Sequence, residues 1–105
     1  MIRRFAILLL MVPAGLHAQE QGDPSAGLRV ARETCAACHA VEAGQNQSPR
    51  TQAPAFTRIA QVPGMTTTAL TVALRTSHET MPNIMLEPKQ LRDLAVYITS
   101  LNTHP

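Results

Sequence analysis

The clearest pattern in the chain lies near its end. Leu91, Leu94, Ala95, Ile98 and Leu101 recur at helical spacing with mostly polar residues between them, which predicts a helix with one apolar face. Glu87 is placed to cap it, and Pro88 stands at its first position, where a missing N–H costs little. A weaker copy of the pattern, Leu70, Ala73 and Leu74, follows the capping hydroxyls of Thr66 to Thr68. Ala55 to Gln61 reads as a short helix closed by Pro63-Gly64. Asp23-Pro24 pairs an N-cap with a first-turn proline and opens a helix through Ala26, Val30 and Ala31 towards Cys35. No stretch alternates with period two, so the expectation is an all-α domain of three to five short helices. Between the helices, Val41 to Pro54 and Ser77 to Glu87 are long loops, rich in Gly, Gln, Asn, Ser and Pro or holding Met81-Pro82-Asn83. Two such loops in so small a domain are either disordered or wrapped around something.

The N-terminus carries a different pattern. Arg3 and Arg4 precede an apolar run from Phe5 to Leu16, and Ala14, Gly15 and Ala18 are small. This predicts a signal peptide over residues 1–18, cut after Ala18 and leading to export into the periplasm. A membrane-spanning helix needs ~20 apolar residues, so this run, with Pro13 inside it, is too short to remain as an anchor. Residues 19–23 then form a polar leader and residues 24–105 the domain. The full chain has 9 basic and 7 acidic residues. Removal of Arg3 and Arg4 leaves seven of each, and the remaining cations are scattered, so there is no footprint for nucleic acid.

Composition adds a further demand. The 105 residues are 45% hydrophobic but only 3% aromatic, with no Trp, one Tyr and two Phe. A core this small that lacks large rings needs another staple: a disulfide, a metal or a cofactor.

Cys35-Ala36-Ala37-Cys38-His39 is the candidate for that staple. A redox-active dithiol would follow a strand and begin a helix, whereas this motif ends one. A structural zinc site takes four ligands, and the chain has two cysteines, with His39 too close to Cys38 to share a metal with it. A Cys35–Cys38 disulfide would close too small a loop to stabilise much. Covalent haem attachment uses all three residues: two thiols add to the porphyrin vinyl groups, and the adjacent imidazole reaches the iron. The porphyrin would also supply the apolar bulk that the composition lacks.

With these residues in view, the chain resembles the class I mono-haem c-type cytochromes over nearly all of residues 24–105. The resemblance implies a cytochrome c-like fold around one covalently bound haem c with its iron. Cys35 and Cys38 would be the attachment residues, His39 the proximal ligand, and Met81 in Thr80-Met81-Pro82-Asn83 the sixth ligand. Gly27 resembles the small residue over which the last helix crosses. Pro54 resembles the proline whose carbonyl receives the proximal imidazole. The chain departs from the family in having Ala31 where an aromatic often stands, and in lacking a large ring in the helix before the methionine loop.

Read from the residues alone, Met81 competes for the sixth position with Met65, Met85 and His78. Met65 sits between Pro63-Gly64 and a helix, as a core or turn residue would. Met85 reads as a soft filler against the haem. His78, three residues before Met81, is the rival, read otherwise as an exposed loop residue. His104 reads as exposed.

With both axial positions filled by protein, the expected function is one-electron transfer, not catalysis. The carrier would be a soluble shuttle or the haem subunit of a larger redox complex. Its partners would be a donor dehydrogenase or reductase and an acceptor oxidase or similar protein, with no stable membrane insertion after signal removal. Two other readings stay open: a five-coordinate haem enzyme or gas sensor, and a zinc-binding structural module.

Overall fold

The structure is a computed structural model, and it describes residues 4–10, 21–76 and 78–103. The expected cleavage site at Ala18 and the terminal His104 lie outside these residues. Residues 4–10 form no helix, and Phe5, Ile7, Leu8, Leu9 and Leu10 are exposed. Among the described residues, no helix is long and apolar enough to cross a membrane.

Four α-helices follow: α1 Pro24–Val30, α2 Phe56–Ala60, α3 Thr67–Arg75 and α4 Pro88–Ser100. No strand occurs among the described residues, so the all-α expectation is met. The starts are set locally. The Asp23 carboxylate accepts the Ser25 N–H at 2.9 Å ahead of Pro24, and Thr66 Oγ1 accepts the Ala69 N–H at 3.1 Å. The Gln90 side chain accepts the Glu87 N–H at 3.0 Å. Each satisfies a donor that the helix itself leaves free. Gly64, with φ +80°, turns the chain between α2 and α3 in a conformation that favours glycine.

The core gathers where α1 meets α4. Leu91, Leu94, Ala95, Ile98 and Leu101 are all buried along one face of α4, as their spacing predicts. Of these, Leu94, Ala95, Ile98 and Leu101 pack with Val30, Ala31, Phe56, Ala60 and Leu70. Two glycines permit this contact. A Cβ on Gly27 would lie 2.0 Å from the Asp93 carbonyl oxygen, and one on Gly22 2.3 Å from that of Arg92. Ala31, standing where an aromatic is frequent in the resembling family, has no exposed surface. Of the three aromatic residues, Phe56 and Tyr97 are in this core.

Asp93 faces inward too. It is 4% exposed, and its Oδ1 accepts the Asp23 N–H at 2.8 Å. Lys89 Nζ donates to its Oδ2 at 2.7 Å. The start of the domain is thereby fastened to the middle of α4.

Candidate functional site

After Val30 the helix widens into a π-turn, Ala31–Cys35, a local underwinding found often at functional sites. The Cys35 carbonyl then accepts N–H groups from Cys38 at 3.2 Å and His39 at 2.9 Å. This tight turn brings Cys35, Cys38 and His39 to the border of one cleft. The two sulfurs are free thiols here; in a haem-bearing chain the same atoms would be thioethers. Burial pushes the Cys35 thiol up to about 11, and neighbouring Cys38 adds to the effect. Such a pocket disfavours a thiolate and suits an uncharged sulfur.

His39 is held from behind. Its Nδ1 lies 2.7 Å from the Pro54 carbonyl oxygen. A carbonyl can only accept, so Nδ1 carries the proton and Nε2 keeps its lone pair for a metal. The Phe56 ring packs against the imidazole, with centroids 5.3 Å apart and planes inclined by 47°. The segment bearing these partners is tied to the motif by backbone bonds. Arg50 N–H donates to the Cys38 carbonyl at 3.1 Å, and Phe56 N–H to the Ala40 carbonyl at 2.9 Å. Ser48 Oγ accepts the Ala40 N–H at 2.9 Å. The Tyr97 hydroxyl donates to the Val41 carbonyl, joining α4 to the same turn. The loop expected over residues 41–54 therefore wraps the motif in an ordered way.

The cleft is open to solvent and encloses about 1170 Å³ of non-protein space, its mouth included. Phe56, Ile59, Leu70, Leu74, Ile84 and Ile98 give it apolar walls. Two thiols, an imidazole with a free Nε2 and an apolar slot fit a covalently held haem.

Met81 borders this cleft and is half-buried. His78 borders it as well, although it is exposed. The expected exposure of His78 is thus correct, and its place on the same cleft is that of a rival ligand. Met65 is half-buried, packs on the core and lines the cleft. Met85 corrects the expectation: it is 94% exposed and does not border the cleft. Ile84 fills that place instead, because the extended chain turns alternate side chains to opposite sides. Among the described residues, no group of three or more His, Cys, Asp or Glu could hold a metal, which leaves the zinc-module reading without a ligand set.

Comparison with known proteins agrees with this geometry. The family described as cytochrome C oxidase, cbb3-type, subunit III matches residues 22–98. The chain belongs to the mono-haem c-type cytochromes. This cytochrome is 31% identical over 94 residues to cytochrome c-552 of Bradyrhizobium diazoefficiens, spanning 90% of the chain and 89% of that relative. No solved structure matches the cytochrome significantly. As a member of this family, the cytochrome carries covalently bound haem c with its iron and transfers electrons; it is not an enzyme.

Sequence reasoning missed Phe56 against His39, Ser48 on Ala40 and the inward Asp93. Phe56 has one available signal: it follows Pro54 by two residues, so whatever Pro54 touches lies near its ring. The partners of Ser48 and Asp93 have no marker in spacing.

Proposed function

We propose that Cys35 and Cys38 form the thioether links to haem c, and that His39 and Met81 ligate its iron from the two sides. The observation that carries this reading is the arrangement of His39. Its Nδ1 is occupied by Pro54 at 2.7 Å, and it borders the same cleft as both thiols and Met81. The bound haem supplies a one-electron couple. The chain's part is to fix the imidazole, exclude water with apolar walls, and hold its sulfur and nitrogen donors in one geometry for both charge states. A soft thioether favours the ferrous state, so a His–Met pair sets a higher potential than a His–His pair.

The N-terminal residues 1–18 fit export to the periplasm, where the carrier would work as a free shuttle or as a subunit of a redox complex. The match to an oxidase-subunit family favours a terminal oxidase or a similar complex as acceptor. The ligand assignment is tested on the ferric holoprotein. A weak far-red charge-transfer band should be present and should vanish in Met81→Ala, with a lower potential. A band that survives Met81→Ala would overturn the assignment of Met81.

A further inference from the structure

The two sides of the cleft are built differently. The motif side is fastened by bonds from Arg50, Ser48, Pro54, Phe56 and Tyr97. Along residues 78–86 no hydrogen bond is formed among the described residues. That segment borders the cleft through His78, Thr80, Met81, Pro82 and Ile84, and Leu86 packs on the core. Segments with few bonds and partial burial occupy the low end of local stability, where rearrangement is cheap. Two donors able to bind iron lie on it three residues apart, Met81 and His78, and both border the cleft.

We propose that His78 is a second axial ligand held in reserve, which takes the iron when Met81 is withdrawn. This rests on the assignment of His39 and Met81 made above. Met65 also borders the cleft, but its N–H is bonded to the Val62 carbonyl at 3.0 Å and its side chain packs on the core. Its backbone is fixed, whereas the segment carrying His78 can slide. Replacing Met81 by His78 needs a shift of at most ~10 Å along the chain, within a stretch that breaks no hydrogen bond by moving. The two donors differ in preference. Thioether sulfur is soft and suits ferrous iron, while imidazole tolerates the ferric state better. Met81 stays the ligand in both charge states of the native fold, and once it is withdrawn the ferric iron is the state that favours capture by His78.

The test uses the holoprotein carrying Met81→Ala, His78→Ala or both. Met81→Ala alone should lose the far-red band yet remain six-coordinate and low-spin, with a lower potential. The double variant should become high-spin. An internal ligand present nine-tenths of the time weakens an external ligand about tenfold, so the double variant should bind carbon monoxide about tenfold more tightly, or better, than Met81→Ala. The unaltered ferric protein in rising denaturant should lose the far-red band while staying low-spin, and His78→Ala should turn high-spin at the same step. That comparison stands even if the Met81 variants lose haem. The proposal is overturned if Met81→Ala alone is high-spin and binds carbon monoxide as the double variant does. It is equally overturned if the double variant stays low-spin. A missing far-red band in the unaltered protein would instead defeat the Met81 assignment, and the reserve role with it.

Discussion

Gly27 shows how much of the architecture depends on one missing methyl group. Its Cα stands so close to α4 that a Cβ would meet the Asp93 carbonyl at 2.0 Å and the Tyr97 Cβ at 2.7 Å. Neither can yield without parting the two helices. Gly27→Ala should cost about 3 kcal/mol or more, at the upper end of overpacking effects. Gly44 is the control: its φ is +78° but nothing lies within 4 Å of its Cβ position. Gly44→Ala should cost only ~1–2 kcal/mol, from backbone strain. Thermal unfolding of the two holoprotein variants compares them directly, and equal losses would refute the close-crossing account. At this scale the sequence is informative where one residue type has one use. Cys35, Cys38 and His39 announce their chemistry, and resemblance marks Gly27 and Pro54. Met81, His78 and Met85 share a loop with no periodicity, so which of them faces the cleft is decided by tertiary packing.

The helices themselves are largely legible, because their ends are written in capping residues and their faces in spacing. Asp93 is not. An aspartate on a helix reads as solvated, and its partner Asp23 is 70 residues away. The pairing matters for the junction of α1 and α4. Burial opposes ionisation of Asp93, but the Lys89 ammonium and the Asp23 N–H outweigh it and hold the carboxyl below its ordinary value, which is about 3.9. A group lowered in this way stabilises the fold fully above its unfolded value, and that contribution disappears as pH falls through the folded value. Asp93→Asn keeps an acceptor for Asp23 but has no charge to lose. Between about pH 5 and about pH 2 its melting temperature should fall less steeply than that of the unaltered protein. Parallel slopes would show that Asp93 does not govern the acid response.

In the described part of the molecule, α2, α3 and α4 border the cleft and α1 packs behind them on α4. The molecule's side chains bring two aromatic rings and small residues such as Ala31, Ala60 and Ala95 to the core. Ordering the chain costs ~1–2 kcal/mol per residue in backbone entropy, and a core of this size offsets little beyond that. The haem therefore has to complete the fold as well as carry the electron. The mature chain made without haem attachment should be largely disordered by circular dichroism, and a cooperative melt with native-like helicity would contradict this. The low aromatic content of the chain is by itself a sign of such a missing component. The composition of residues 41–54 does not distinguish disorder from wrapping, because the order of this loop comes from bonds to Cys38, Ala40 and His39 and not from any local pattern.

The central claim is that one haem is bound covalently through Cys35 and Cys38 and cannot leave. It is tested most directly by denaturing the purified holoprotein, extracting it with acidified organic solvent and measuring the mass of the intact chain. The mass should equal chain plus one haem, and the pyridine adduct should show both vinyl groups saturated. Cys35→Ala together with Cys38→Ala should release the haem into the solvent. A native chain that gives up its haem to extraction, or a double variant that keeps it, would contradict the account.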